Sequence, residues 1–253
     1  MVAPEPLSGT VGNVLDPIVS LRQSLVLGAG GEAQLTFLLG AAAERKTALA
    51  LAAAYAEAAR VEAAFEAAAH AGPLAAPIPP PSSPIPAGIR AFSAPGAQPV
   101  QSPTPPLIPE EPLHFWNGHG GFSADGREYV IRLQPDANGR LRLPPQPWTN
   151  VIANPQFGFL ASETGAGYTW SQNSRENRLT PWYNDPVLDP HGEALYARDE
   201  ASGAVWSLLP GPIPQPVAYE VRHGFGYSRY RHASHNLEHE ICLFVPREEP
   251  VKL

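Results

Sequence analysis

The chain has 253 residues, enough for one large or two small domains, and 43% of them are hydrophobic, enough to build a core. Its formal charge of -7 argues against a general affinity for nucleic-acid backbones, and its single cysteine, Cys242, excludes an internal disulfide framework. The 31 prolines exceed the usual share of roughly 5% and are concentrated, so they mark boundaries.

Residues 1–40 read as a β remnant of a preceding module. Val14–Leu21 and Ala33–Leu39 are short strand-like runs separated by Gly28, Gly30 and Gly31. Two such strands bury too little apolar surface to stand alone, so they need partners elsewhere. Residues 41–70 predict a helix: alanine dominates, Gly and Pro are absent after Gly40, and Leu51, Tyr55, Ala58, Val61 and Phe65 share one face. The opposite face mixes Glu57, Arg60, Glu62 and Glu66, which suits docking on a soluble protein better than lying on a membrane surface. Residues 71–112 predict a linker, because Pro79-Pro80-Pro81 and Pro103-Thr104-Pro105-Pro106 favour extended polyproline conformations.

From 113 to 253 short strands alternate with turn signals. Arg127–Leu133, Arg140–Leu143, Glu193–Arg198, Ala204–Leu208, Val217–Arg222 and Glu240–Val245 are strand candidates. Asp136–Gly139 and Asp199–Gly203 are turns between them. No long helical pattern interrupts the series, so the fold class is mainly β, an antiparallel β-sandwich. No apolar run reaches the ~18 residues of a membrane span, and the start lacks the basic and apolar regions of a secretory signal. A cytoplasmic location is the expectation.

All five tryptophans lie in this segment. The run Tyr168–Asp185 combines Trp170 and Trp182 with Asn173, Arg175, Glu176, Asn177 and Arg178. Flat rings suit the apolar faces of pyranoses and the polar groups suit hydroxyls, while the same mixture also knits a loop together. Composition leaves both readings open. Gly118–Phe122 and Gly165–Tyr168 lack the residues of a phosphate-binding loop and read as tight turns. The histidines His232, His235 and His239 invite a metal reading, but on one strand His235 and His239 stand ~13 Å apart and cannot share an ion. Glu163, Glu176, Asp185, Asp189 and Asp199 supply carboxylates, yet nothing in their spacing fixes an acid–base pair, and no catalytic residue or metal ligand is assigned.

Several long motifs point further. Phe115-Trp116-Asn117-Gly118-His119-Gly120-Gly121-Phe122, Pro147–Pro155, Ser162–Trp170, Asn173–Trp182 and Arg222–Ser228 occur in an order that resembles the amino-terminal β-sandwich of glycoside hydrolase family 94. That family includes cellobiose and chitobiose phosphorylases and a module of cyclic β-1,2-glucan synthases, and the likeness is to the synthases. Leu15-Asp16-Pro17 and the strand–helix order resemble the tail of the module before it.

The resemblance implies an incomplete supersandwich from a parent enzyme that builds cyclic β-1,2-glucan and is held at the inner membrane by segments outside this chain. In such enzymes a following (α/α)6 barrel phosphorolyses β-1,2-glucan with inversion, using inorganic phosphate as co-substrate and releasing glucose 1-phosphate. The sequence ends before that barrel, so the chain alone is expected to be inactive and to need no cofactor. Family sandwiches contribute a loop near the substrate, sometimes across a homodimer. The matching positions are Arg175, Asn177 and Arg178 as sugar contacts, with Trp170 or Trp182 as a stacking surface. The alternative is a purely structural domain for dimerisation or barrel docking.

Overall fold

A computed structural model describes residues 19–70 and 111–253. The predicted linker therefore lies outside the described residues except for Glu111 and Pro112. By contacts the chain divides into Met1–Thr36 and Phe37–Leu253. In the first unit, residues 19–36 form no helix or strand; the Gly31 amide bonds the Gly28 carbonyl at 2.9 Å around Gly30, whose φ of 72° suits glycine. The strand expected over Ala33–Leu39 is thus absent until its last residue.

That residue belongs to the second unit. Strand β1 (Leu39–Gly40) pairs antiparallel with β12 (Val251–Lys252), so residues 37–40 join the sandwich, not a separate module as expected. The predicted single helix is two: α1 (Arg45–Ala54) and α2 (Ala58–Ala69). Between them Tyr55 is buried and its hydroxyl bonds the Glu249 carboxylate, while Glu57 adopts an extended conformation (φ -92°, ψ 120°). Alanine would allow one continuous helix. Tertiary packing wins, because the break turns Val61, Phe65 and Ala68 onto the sheet.

The remaining strands are β2 (Gly120–Phe122), β3 (Glu128–Leu133), β4 (Thr149–Ala153), β5 (Phe157–Ser162), β6 (Gly167–Ser171), β7 (Tyr196–Arg198), β8 (Val205–Ser207), β9 (Tyr219–Gly224), β10 (Tyr227–Ser234) and β11 (Leu237–Phe244). They form a five-stranded sheet ordered β11-β10-β9-β3-β2, a three-stranded sheet ordered β4-β5-β6 and the hairpin β7–β8, all antiparallel. The fold is the mainly β, antiparallel arrangement that the turn-rich pattern predicted. Arg140–Leu143 is not a strand; it makes one bridge, Pro135 to Leu141, closing the Asp136 turn.

Alternation assigns the two faces of the large sheet. Ile131, Leu133, Tyr219, Val221, Tyr230 and Leu243 meet Ile152, Phe157, Phe159 and Ala161 of the three-stranded sheet to form the main core. On the outer face Phe65 of α2 sits edge-on to Tyr227 and Phe244, with ring centroids 5.4 and 5.3 Å away. Beside this apolar patch Arg222 bridges Glu220, Glu128 and Glu111 at 2.6, 2.8 and 3.0 Å. Half the outer face is thus sealed by a helix and half by ion pairs.

The Phe65 ring is the main apolar link from α2 to the sheet. Phe65→Ala should lower stability by roughly 3 kcal/mol, the low end for losing a packed phenylalanine because Phe65 keeps some exposure. Urea unfolding followed by circular dichroism checks this; a change under about 0.5 kcal/mol, the level of an ordinary surface substitution, would mean that the helix does not hold the sheet.

Candidate functional site

The segment after β6 is where the aromatic and polar residues converge. Its local shape follows from Asn173, whose Oδ1 accepts the amides of Arg175 and Glu176 at 2.9 Å each. The Asn177 amide bonds the Asn173 carbonyl at 3.0 Å, and the Ser171 amide bonds the Asn177 carbonyl at 3.0 Å. Gln172 takes a φ of 61° to admit the reversal. The chain then runs back along β6, bridging Trp170 to Arg178 and bonding the Leu179 amide to the Thr169 carbonyl at 2.8 Å. An asparagine-nucleated turn therefore closes residues 172–177 onto the strand edge.

At the tip the Arg175 side chain is 86% exposed and lies 3.3 Å from Glu176, an ion pair that water screens almost entirely. Asn177 is exposed beside it. The Arg178 guanidinium lies 5.9 Å over the Tyr168 ring and makes long bonds to the Ser174 and Trp182 carbonyls. Tyr168 stacks on Trp182 with centroids 5.0 Å apart and planes at 25°. These residues form a continuous stack of guanidinium, phenol and indole.

Trp170 borders this stack, its ring centroid 5.1 Å from that of Tyr168, but it is the less accessible of the two tryptophans. It is only 9% exposed, and a Cβ on Gly158 would come within 2.5 Å of its ring, so glycine is required beneath it. Trp170 supports the strand, and Trp182 is the half-buried member of the pair.

The base of the loop rests on Glu193. Its Oε1 accepts the Thr169 and Thr180 hydroxyls at 2.5 and 2.7 Å, and its Oε2 meets Lys252 Nζ at 2.6 Å. Burial alone would raise this carboxyl, but the Lys252 charge and the two hydroxyls hold it below the usual carboxylate range. Neither Glu193 nor Lys252 stood out in the sequence, since each is an ordinary surface residue type; only the pairing of β12 brings them together.

The carboxylates considered for catalysis have structural partners. Asp189 Oδ2 accepts the Ser162 and Thr164 hydroxyls at 2.6 Å each, and Asp185 Oδ1 accepts the Val187 and Leu188 amides at 2.9 and 3.1 Å. Asp199 caps its hairpin through the Ala201 amide at 3.0 Å. Glu163 is buried and accepts the Trp148 amide at 2.7 Å; burial pushes its carboxyl up to about 7, and Asp189 adds to the shift.

A second feature escaped the sequence reading. An open groove of about 560 Å³ runs beside the start of β4, lined by Phe122, Tyr129, Trp148, Asn150, His223 and Phe225. Its polar groups are committed: Asn150 Nδ2 donates to the Gly224 and Tyr227 carbonyls at 3.0 Å, and His223 bonds Ser228 Oγ and the Trp148 carbonyl at 2.9 and 3.2 Å. Directional recognition is therefore better supplied by the 172–178 loop.

The histidines are also rearranged. A turn at His235 and Asn236 separates β10 from β11, so the single-strand spacing does not apply and His232 instead faces His239 across the hairpin.

The Glu163 shift has a definite sign. A carboxyl at about 7 in the folded chain and near 4.5 when unfolded favours the folded state fully below pH 4.5, and that contribution fades as pH rises towards 7. Glu163→Gln keeps the acceptor for the Trp148 amide and removes the titration. Relative to the variant, the wild type should lose about 3 kcal/mol between pH 4.5 and 8. Parallel stability profiles from denaturant titrations would overturn the assignment.

Comparison with known proteins places these features in context. The family model described as glycosyl hydrolase 94, supersandwich domain, matches residues 1–58 and 127–253. The chain is 49% identical over 142 residues to the cyclic beta-(1,2)-glucan synthase NdvB of Rhizobium meliloti (strain 1021), covering 56% of this chain and 5% of that protein. It is 31% identical over 138 residues to the N,N'-diacetylchitobiose phosphorylase of Vibrio proteolyticus and 33% over 138 residues to that of Vibrio furnissii, each covering 53% of this chain and 16% of the relative. The chain thus spans a small part of each of these proteins.

Proposed function

Because this chain belongs to the glycosyl hydrolase 94 supersandwich family, and so is a domain of a carbohydrate-active enzyme, we propose that it is the glycan-contacting region of a cyclic β-1,2-glucan synthase-type protein. The observation that carries this reading is the closed 172–178 turn, which presents Arg175 to solvent beside the Arg178–Tyr168–Trp182 stack. Arg175 and Asn177 offer donors and an acceptor to neighbouring hydroxyls of β-1,2-glucan, and the Trp182 ring offers an apolar face to a pyranose. The turn is built before any sugar arrives, so little ordering entropy opposes binding.

In this reading the domain contributes no catalytic group. Phosphorolysis with inorganic phosphate belongs to an (α/α)6 barrel partner, and the enzyme draws its substrate from the cytoplasm. Among the described residues no helix is long and apolar enough to cross a membrane, so this reading assigns the anchor to other segments. A docking role, to the barrel or to a second copy, has its own support. Val187 and Leu188, shortly after the stack, are 87% and 76% exposed, an unusual display for two adjacent aliphatic side chains.

Isothermal titration of the chain with β-1,2-glucooligosaccharides separates the two. Glycan contact predicts measurable heat, and Arg175→Ala or Trp182→Ala should each weaken binding about tenfold, the scale of losing one charged hydrogen bond or one stacked ring. Absence of heat from folded protein, with self-association abolished by Val187→Asp, would favour docking and remove the sugar assignment.

A further inference from the structure

The aromatic groove beside β4 has no duty in the glycan reading, yet it leaves large rings in water. Phe122 and Phe225, which line it, are 42% and 45% exposed. Phe115 and Trp116, on the turn that His114 bridges to Phe122, are exposed as well. A gathering of exposed rings marks a surface that something covers. The charged groups of the groove are already engaged. Glu128 meets Arg222 at 2.8 Å and the Tyr227 hydroxyl at 2.5 Å, and Arg127 donates to the Ala69 carbonyl at 3.0 Å. With Asn150 and His223 also committed, the groove offers ring faces and few free polar groups.

The chain leaves and re-enters the described structure beside this groove. At the end of α2, a Cβ on Gly226 would lie 2.8 Å from the Ala68 carbonyl oxygen, next to Phe225, and the next carbonyl, that of Ala69, is the one held by Arg127. The chain returns at Glu111, whose carbonyl accepts Arg132 Nη2 at 2.7 Å and whose carboxylate meets Arg222 at 3.0 Å. The His114 amide then bonds the Phe122 carbonyl at 2.9 Å. The anchors Arg127 and Arg132 are about 17 Å apart by the rise of a strand. An unconstrained chain of the length of residues 71–110 averages roughly 35 Å between its ends, so this segment has slack to pass over the groove. Its run Pro77-Ile78-Pro79-Pro80-Pro81-Ser82-Ser83-Pro84-Ile85-Pro86 follows closely on His70, and Arg90 is the sole charged residue from Ala71 to Pro109.

We propose that the groove is a docking site for the Pro77–Pro86 run of the same chain, bound as a polyproline helix. Aromatic-lined grooves take such segments because pyrrolidine rings pack on ring faces and the extended conformation is already favoured, so little entropy is lost. An uncharged run also suits a groove whose ions are paired, since docking then strands no charge away from water. Tethering supplies an effective concentration on the order of mM, so a weak contact suffices and a second copy competes poorly. A sugar would need the directional partners that Asn150 and His223 have already spent. The docked run covers Phe122 and Phe225 and holds the end of α2 against the β9–β10 turn. This inference is independent of the glycan reading of the 172–178 loop and stands or falls separately.

The test uses nuclear magnetic resonance on the whole isotope-labelled chain. In the wild type, Overhauser contacts should join proline ring protons of the 77–86 run to the rings of Phe122, Trp148 or Phe225, a readout that needs no variant to fold. Combining Pro79→Ser, Pro80→Ser, Pro81→Ser and Pro84→Ser should abolish these contacts and shift the Phe122 and Phe225 ring resonances, while the Val130 and Tyr230 amides of the core stay in place. Phe225→Ala should move the Ser82 and Ser83 amides towards random-coil positions. Absence of the contacts in the wild type, or ring resonances that the four substitutions leave unmoved, would overturn the proposal. So would ring resonances that respond instead to protein concentration, which would assign the groove to a second copy, or only to added β-1,2-glucooligosaccharides, which would assign it to sugar.

Discussion

Much of this architecture converges on the ion pair between Glu193 and Lys252. Lys252 lies on β12, the strand that also receives β1 and so ties the two helices to the sandwich. Glu193 lies in the long segment returning from the polar loop, and its carboxylate also holds Thr169 of β6 and Thr180. The Lys252 ammonium sits 4.3 Å over the Phe159 ring, on the middle strand of the small sheet. Both side chains are largely withdrawn from water, so loss of either would strand a charge where hydration cannot repay it. One contact therefore joins β12, its partner β1, the small sheet and the base of the candidate glycan loop.

How much of the fold could be read from residues depended on whether polar residues mark one face of a strand. Strand β3 sets Arg132 on the face opposite Ile131 and Leu133, so a charged residue interrupts the apolar run and the strand is legible. Strand β5, Phe157-Gly158-Phe159-Leu160-Ala161-Ser162, is covered along nearly its whole length, so alternation disappears and its glycine looks like a turn. The same reasoning hid β6, whose Gly167 accepts the close approach of the Leu160 carbonyl where a Cβ would lie 1.9 Å away. The helix was legible as a helix, but its break was not. That break comes from Tyr55 reaching Glu249, a partner 194 residues away.

The candidate site was partly legible for a related reason. Arg175, Asn177 and Arg178 announced themselves by type and proximity, and the structure gathers them at one turn. What residue type could not distinguish was the orientation of two tryptophans in the same run. Trp170 falls on β6, on the same face as Tyr168, and packs down over Gly158, whereas Trp182 lies on the returning segment and stacks on the Tyr168 ring. The sequence signal that separates them is positional: Gly158 is the cross-strand partner of Trp170, and only a glycine there can admit an indole.

The two aromatic surfaces of the sandwich illustrate how commitment of polar groups decides what an aromatic patch can do. In the groove beside β4, Asn150 and His223 spend their hydrogen bonds on the backbone carbonyls and the hydroxyl that knit β4 to the large sheet. The rings there lock together edge-on, Phe122 to Tyr129 and Tyr129 to Trp148, and serve cohesion. Around the 172–178 turn the same residue types divide the work differently. Asn173 satisfies the backbone by itself, which frees the side chains of Arg175 and Asn177 from any structural duty. The proposed recognition surface lies where one residue takes over the local hydrogen bonding and its neighbours are left to face solvent.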